Sequence, residues 1–504
     1  MLKRTICLLL VLLFAMLPLV ACNDEEESTS AEASEQSEPD DTFFGYKIPD
    51  DVDFNGMTMK VLTSARSETS TCYQIKPECN EDYDPLKLSA VQSAASECTK
   101  LVEQELGIEV EEEEVFTSSR YGGPMYQKIR TEVLSTVPDY YICMPNLIEA
   151  ALLATDGLIY DLSEYLDLNN PWWCKEFNDS VTIAGSTYFV TGDIGTISME
   201  STMFIAFNKS LIEKNGFLDK YGFESMYDMV DANEWTQDKM YEMSRAIYQD
   251  TNANSKIDPD DMLGVAGQEN IVYWILRSGG EHICPIGSDG YPILQCNTER
   301  AFSIIQDAQD YVQDRQGGFA AADDFLDGSS PYRTVQAFID GHCLFFFGAI
   351  STLNEIRGMS DDFGVLPCPR YDKDQEAYSC NVGAWTSDCI CIPTSTMGKE
   401  LELSVVFLEA LGAVWRQKGT PVFYEQTLQY QIARDDESMR MLDIISTHRT
   451  PELAEIFNWG NMMKTVASMR RTLPGTFVST YESIADKTRA EMNETVMEFK
   501  DRKG

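Results

Sequence analysis

Histidine is almost missing from this chain: His282, His342 and His448 are the only three in 504 residues, and no two are close in sequence. A His-based zinc site, or a relay needing several imidazoles, has almost nothing to be built from. Positive charge is scarce too. Lys and Arg number 39 against 82 Asp and Glu, a formal net charge of −43, and a polyanion of that size repels phosphate backbones and anionic headgroups. Nucleic-acid binding is therefore not expected. No Gly-x-Ser-x-Gly elbow, Walker loop, His-Glu-x-x-His motif or dinucleotide fingerprint occurs, which removes the common hydrolase, nucleotidase, metalloprotease and dehydrogenase readings. The one conspicuous apolar run, residues 6–20, is short for a membrane span. What is present is apolar material enough for one large or two medium cores, so wholesale disorder is excluded.

Lys3 and Arg4 precede that run, which closes on Leu19-Val20-Ala21-Cys22. This reads as the n-region, h-region and small-residue cleavage site of a secretory signal. A cysteine directly after Leu-x-Ala also supplies a thiolate for acylation, and the segment resembles the bacterial lipoprotein signal; an ordinary secretory peptide is the alternative. The resemblance implies removal of residues 1–21, lipidation at Cys22, and a protein anchored by lipid on the outer face of the cell membrane. Residues 23–41 are rich in Glu, Asp, Ser and Thr with no large apolar side chain. They cannot bury enough surface to offset their ordering entropy, so 22–54 is expected to be a disordered acidic linker.

Of fourteen cysteines, Cys7 lies in the signal and Cys22 at its end, leaving twelve in the body. An even number permits disulfides in an exported protein, with Cys72, Cys79 and Cys98 in one neighbourhood and Cys284 with Cys296 in another. Buried free thiols are the equal alternative. Cys389 and Cys391 alternate along a strand-like run and point to one face, which disfavours a bond between them.

The body opens with a strand-like stretch at 57–62. Val91, Ala94, Ala95, Cys98, Leu101, Val102 and Leu106 then recur at helical spacing up to Gly107, a C-terminal stop. A strand at 108–115, a helix opened by Pro124 and a strand at 140–144 follow. Alternation of this kind predicts a parallel sheet with right-handed crossovers. Ligands on such sheets sit beyond the carboxyl ends of the strands, here the loops at Thr63-Ser64 and Pro145-Asn146. Further strands are expected at 187–191, 202–207, 343–350, 363–366 and 386–392. Thr236 is placed to cap a helix burying Met240, Met243 and Ile247, and another helix would carry Phe302, Ile305, Ala308 and Val312. The chain should end in helices over 401–415 and 483–499.

Residues 250–261, DTNANSKIDPDD, place side-chain oxygens at positions 1, 3, 5, 9 and 12 of a twelve-residue loop, with the Lys256 carbonyl at position 7. Hard cations with six to eight oxygen ligands need that spacing. The expectation is a structural calcium ion held by Asp250, Asn252, Asn254, Lys256, Asp258 and Asp261. Two departures stand out: Ser255 occupies the usual glycine position, and Asp261 replaces the terminal glutamate, the latter a feature that resembles the calcium loops of dockerin modules.

The order of these features resembles the extracellular solute-binding lipoproteins of ABC importers, in the class that includes maltodextrin-binding proteins. The segments that carry the resemblance are DGLIYDLSEY at 156–165, NNPWW at 169–173, GSTYFVTGDI at 185–194, FNKSLIEKNG at 207–216, EWTQDKMYEM at 234–243 and FGVLPCPRYDKDQEAY at 363–378. It covers almost the whole body from Asn55. It implies an α/β, two-lobe periplasmic-binding-protein-like fold of type II, with parallel-sheet lobes joined by hinge strands and a ligand held in the cleft. Lobe 1 would comprise 55–200 with 385–434, and lobe 2 would comprise 201–384 with 435–504. The implied function is capture of a carbohydrate, an oligosaccharide by preference, and its delivery to the importer's transmembrane subunits. The protein would act as a monomer and perform no catalysis.

Sugars are gripped by aromatic faces and by a fringe of carboxylates and amides. Trp235 and Trp415 are assigned to packing, and Trp172 and Trp173 to a structural motif. The substrate-binding candidates are Trp274, Trp385 and Trp459, near segments that face the cleft in related proteins, with Asp193 as the preferred hydroxyl acceptor and Ser64, Asn146 and Glu200 as partners. Maltodextrin-binding relatives carry an aromatic after the strand matching 343–347, where this chain has Gly348-Ala349-Ile350, so the resemblance does not extend to a maltodextrin ligand. An exported glycan hydrolase using paired carboxylates, or a surface adhesin or sensor of the same fold, are the competing readings.

Overall fold

Strand β1 (Thr58–Ala65) is buried on both faces for most of its length, as a central parallel strand must be. The computed structural model describes residues 42–65, 74–116, 121–135, 138–321, 324, 332–429 and 436–503; the expected signal at 1–21, Cys22, residues 23–41 and Cys72 lie outside the described residues. Helix α1 (Ala90–Leu106) starts on a capping box, in which the Gln92 amide N–H donates to Ser89 Oγ at 3.2 Å and the Ser89 N–H to Gln92 Oε1 at 3.0 Å. It ends at Gly107, whose φ of 67° is the left-handed conformation that glycine adopts without a steric cost. Strand β2 (Glu109–Phe116), helix α2 (Pro124–Ser135) and strand β3 (Ile142–Met144) complete a parallel sheet of order β2-β1-β3. Helix α3 (Leu147–Thr155) follows at once.

The chain then enters a second sheet of order β6-β5-β7-β4-β8: β4 (Met203–Asn208), β5 (Leu263–Gly267), β6 (Phe319–Ala321), β7 (Cys343–Ala349) and β8 (Phe363–Leu366). Strand β4 runs antiparallel to its neighbours β7 and β8, while β5 is parallel to β6 and β7. The outward and return passages meet where Thr202 bridges Val382 antiparallel and the Gly383 N–H donates to Ser201 O at 3.0 Å. Just before the return passage, β9 (Cys380–Asn381) pairs parallel with β10 (Arg449–Thr450). This mixed α/β architecture, two sheets joined by crossing segments, is the two-lobe fold expected.

Two expected strands do not form. Over 187–191 the ladder is reduced to a Val190–Ile390 bridge, because neighbouring groups take the backbone: Asn178 bonds both the N–H and C=O of Thr191, and Asp161 Oδ1 accepts the Thr187 N–H at 2.9 Å. Over 386–392, successive residues bridge Asn146, Val190 and Cys143 in turn, and no partner runs alongside long enough for a ladder. Helix Gln237–Ile247 forms as expected with Thr236 at its cap, and Met240, Met243 and Ile247 are buried. Helix Glu299–Gln313 buries Ala301, Ile304, Ile305, Ala308 and Tyr311, so its inner face is turned and Phe302 and Val312 are only partly covered. The C-terminal helices span Lys399–Val414 and Phe477–Lys503. All eleven described cysteines are free thiols, and among the described residues no helix is long and apolar enough to cross a membrane.

Candidate binding cleft

Segment 74–76, which follows β1, is tied down by one buried carboxylate. Glu112, on β2, accepts the backbone N–H groups of Gln74, Ile75 and Lys76 at 2.8, 3.0 and 2.6 Å and the Thr63 hydroxyl at 2.8 Å. Burial pushes its carboxyl upward against those four donors. The Gln74 side chain is thereby carried to the edge of the first crossing, where its amide donates to Asp388 Oδ2 at 3.0 Å and its oxygen lies so close to Gly195 that a Cβ there would sit 3.0 Å away.

Three other elements close around it. The short helix Ile197–Glu200 leads into the crossing, and its Thr196 hydroxyl donates to Glu200 Oε1 at 2.7 Å. The end of β7 is pinned to the same place by the Ile350 N–H donating to Thr202 O at 3.0 Å, which presents Ser351, Asn354 and Arg357. Opposite stands the capped N-terminus of α1, with Ser89 and Gln92. Between these walls lies a cleft of about 320 Å³, lined by residues of both sheets' loops and floored by Trp415 and Phe423. Trp415 sits in a π-helical turn, Trp415–Gly419, that continues helix Lys399–Val414. Gly419 lies against its ring so closely that any side chain there would collide with it.

Gly195, Thr196, Trp415 and Phe423 also border a smaller annex of about 30 Å³, whose remaining lining includes Asp193, Thr420, Tyr424, Ser446 and Arg449. Asp193 accepts from Arg416 and from the Thr420 hydroxyl, both at 3.2 Å. Burial raises its carboxyl, opposed by Arg416, Thr420 and Arg449.

Among the residues singled out from the sequence, the structure brings Glu200 to the main cleft and Asp193 to the annex. Ser64 is buried and donates to Met144 O at 3.0 Å, and Asn146 is buried as the cap of α3. Trp274 packs on Phe347 with ring centres 5.5 Å apart, and Trp459 stacks on Phe457 at 4.9 Å while its indole N–H donates to Thr495; both are core residues. Trp385 stands apart, 48 % exposed, with Tyr121 6.1 Å away. The sequence reading missed the loop after β7 and the α1 cap. The signal existed: a buried strand ends at Ala349, and the carboxyl end of such a strand is where ligands collect. It also assigned Trp415 to packing alone, whereas the ring both packs and floors the cleft.

The 250–261 loop is closed on itself. Asp250 accepts from the Asn254 and Ser255 N–H groups at 3.2 and 2.8 Å, Asp261 accepts from Thr251 and Asp258, each at 3.1 Å, and both Asn252 and Asn254 amides donate to Asp258. Ser255 has a φ of 59°. Among the described residues no group of three or more His, Cys, Asp or Glu is gathered as a metal centre requires.

No protein-family model matches the chain, and no curated protein matches it. Solved structures do match in fold. An ABC substrate-binding protein of Listeria monocytogenes, in complex with cycloalternan, superposes with a TM-score of 0.53 at 13% identity, covering 86% of this chain and 100% of its own. A cyclic alpha-maltosyl-1,6-maltose binding protein from Arthrobacter globiformis gives 0.52 at 13%, covering 89% and 100%. UgpB from Mycobacterium tuberculosis, in complex with glycerophosphocholine, gives 0.50 at 15%, covering 81% and 97%. The first two are named as binding proteins, and the likeness is one of fold.

Proposed function

We propose, on the premise of the fold shared with ABC substrate-binding proteins, that this protein is an extracellular solute-binding lipoprotein that captures a carbohydrate and hands it unaltered to an importer's transmembrane subunits. The observation that carries the reading is the composition of the cleft beside the first crossing. Amides (Gln74, Gln92, Asn354), hydroxyls (Ser89, Thr196, Ser351), one carboxylate (Glu200) and one guanidinium (Arg357) surround an apolar floor. A polyol needs many donors and acceptors with little net charge, over a surface that receives its CH groups. Glu200 and the three amides are the hydroxyl partners, and Trp385 with Tyr121 offers an outer aromatic surface. Cys22 is the proposed lipid anchor and residues 22–54 the tether.

Thermal shift and tryptophan fluorescence of the mature protein against a panel of mono- and oligosaccharides test the reading. A saturable shift with at least one saccharide is expected, and the bound saccharide should be recovered intact. Silence across the panel, with a response to peptides or polyamines instead, would overturn it.

We also propose that residues 250–261 hold calcium. Three carboxylates, two amides and a carbonyl make a hard-oxygen donor set of suitable chemistry. Ser255 already has the left-handed backbone that the usual glycine supplies, and Ile257 packs against the core.

A further inference from the structure

The annex beside the cleft is walled by a guanidinium whose hydrogen-bonding capacity the fold leaves largely unused. Arg449 is only 7 % exposed, yet its Nε–H has no acceptor among the described residues. A single long contact to Ser198 Oγ at 3.4 Å is all its Nη1 makes. A buried guanidinium left with an orphan N–H is costly to the fold. Its backbone is held by pairing with Cys380, so the side chain is anchored in place at the wall of the annex.

The other charges nearby do not cancel it. Asp193, the one carboxylate of the annex, is hydrogen-bonded to Arg416 and Thr420 and meets Arg449 only through space, so two guanidinium groups stand around one carboxylate. The main cleft adds Arg357, exposed and lining the cavity, and the N-terminal end of the seventeen-residue α1, whose dipole favours negative charge. Glu200 is the only carboxylate lining that cavity, and it accepts the Thr196 hydroxyl. On a protein of net charge −43, the two carboxylates of cleft and annex, Glu200 and Asp193, are thus met by three guanidinium groups, Arg357, Arg416 and Arg449.

Resting on the carbohydrate reading above, we propose that the annex receives the carboxylate of an acidic sugar, with Arg449 as its donor, so that the cleft selects a uronic-acid-containing saccharide over the neutral counterpart. A carboxylate there faces the Arg449 guanidinium at the annex wall and forms an ion pair that a neutral sugar does not make. The hydroxyls of Tyr424 and Ser446 line the same space.

Calorimetric titration of the full mature chain against uronate di- and trisaccharides, each paired with its neutral hexose counterpart, decides the matter. In at least one pair the acid is expected to bind about tenfold tighter. Arg449→Gln should abolish the advantage, so that the acid binds no tighter than its neutral counterpart. If this variant does not fold, the wild-type pairs still decide. Neutral partners binding as well as or better than acids in every pair would overturn the acidic-sugar assignment and leave the carbohydrate reading standing. No binding by either member of any pair, joined to silence across the wider panel, would overturn both.

Discussion

Buried carboxylates, in a chain so rich in them, are the residues whose surroundings decide most. Glu409 accepts the indole N–H groups of Trp172 and Trp173 at 2.7 and 3.2 Å, the Asn170 amide at 3.1 Å and the Asp167 N–H at 3.0 Å, which explains why the paired tryptophans are structural. Glu455 is held differently. It accepts the Tyr273 hydroxyl at 2.9 Å and the Ala384 N–H at 3.2 Å beside the return crossing, with the Glu452 carboxylate close by, and burial pushes it from 4.5 up to about 7. The folded protein therefore holds a proton there that the unfolded chain releases above about pH 4.5. The stabilisation is complete below that pH and is lost as pH rises through about 7. Glu132, also raised to about 7, acts in the same direction. Replacing Glu455 by Gln, which mimics the protonated acid, is expected to flatten the fall in melting temperature between these limits, read by calorimetry at a series of pH values. An unchanged slope would show that Glu455 does not titrate in this window.

Elements here are made by local rules and then bent to their neighbours' needs. Helix α1 was legible because an apolar face at helical spacing, a capping box and a C-terminal glycine agree. The strand expected over 386–392 was not, because alternation says that a segment is extended and nothing about whether one partner runs beside it. The loop at 250–261 shows local chemistry at its most readable. Ser255, at a φ of 59°, carries a steric cost of about 1 kcal/mol that glycine would not. Ser255→Gly should therefore raise stability by about that amount in urea melts, even in chelator. Calcium itself is expected to raise the melting temperature of the wild type, and EDTA to lower it. A melt indifferent to both, with no heat on calcium titration, would end the calcium proposal.

At the scale of the whole molecule, the two sheets are linked by more than the crossing segments. The C-terminal helix Phe477–Lys503 begins with Phe477 against Phe302, 5.7 Å between rings, on the helix that packs beside the second sheet. It ends with Phe499 against Tyr188 at 4.5 Å and Arg502 bonded to the carbonyls of Ala154 and Thr155 at the end of α3. One helix thus straps both sides, and a hinge motion has to work against it. Phe499→Ala removes a fully buried ring from the far end of the strap. It is expected to cost about 3–5 kcal/mol in denaturant melts and to enlarge the radius of gyration of the ligand-free protein in X-ray scattering. A normal radius would place the restraint elsewhere.

The sequence by itself determined where helix α1 and the Thr236-capped helix lie and that the first sheet is parallel, because periodicity, caps and strand alternation are properties of neighbours along the chain; the two-lobe architecture with its crossings was implied by the resemblance to solute-binding proteins. It pointed to Glu200 and Asp193 through the irregular stretch between strands. Tertiary structure decided what they face. Gln74 reaches the cleft only because Glu112, thirty-eight residues away, holds its backbone, and Trp415 floors it only because a π turn follows an otherwise ordinary apolar helix. Trp274 and Trp459 carry the same chemistry as an exposed stacking ring and differ from it only in burial, which depends on residues distant in sequence. Charge behaves likewise: the composition reads as uniformly acidic, and only the folded arrangement buries a guanidinium, Arg449, at the wall of a cavity with its Nε–H lacking an acceptor among the described residues.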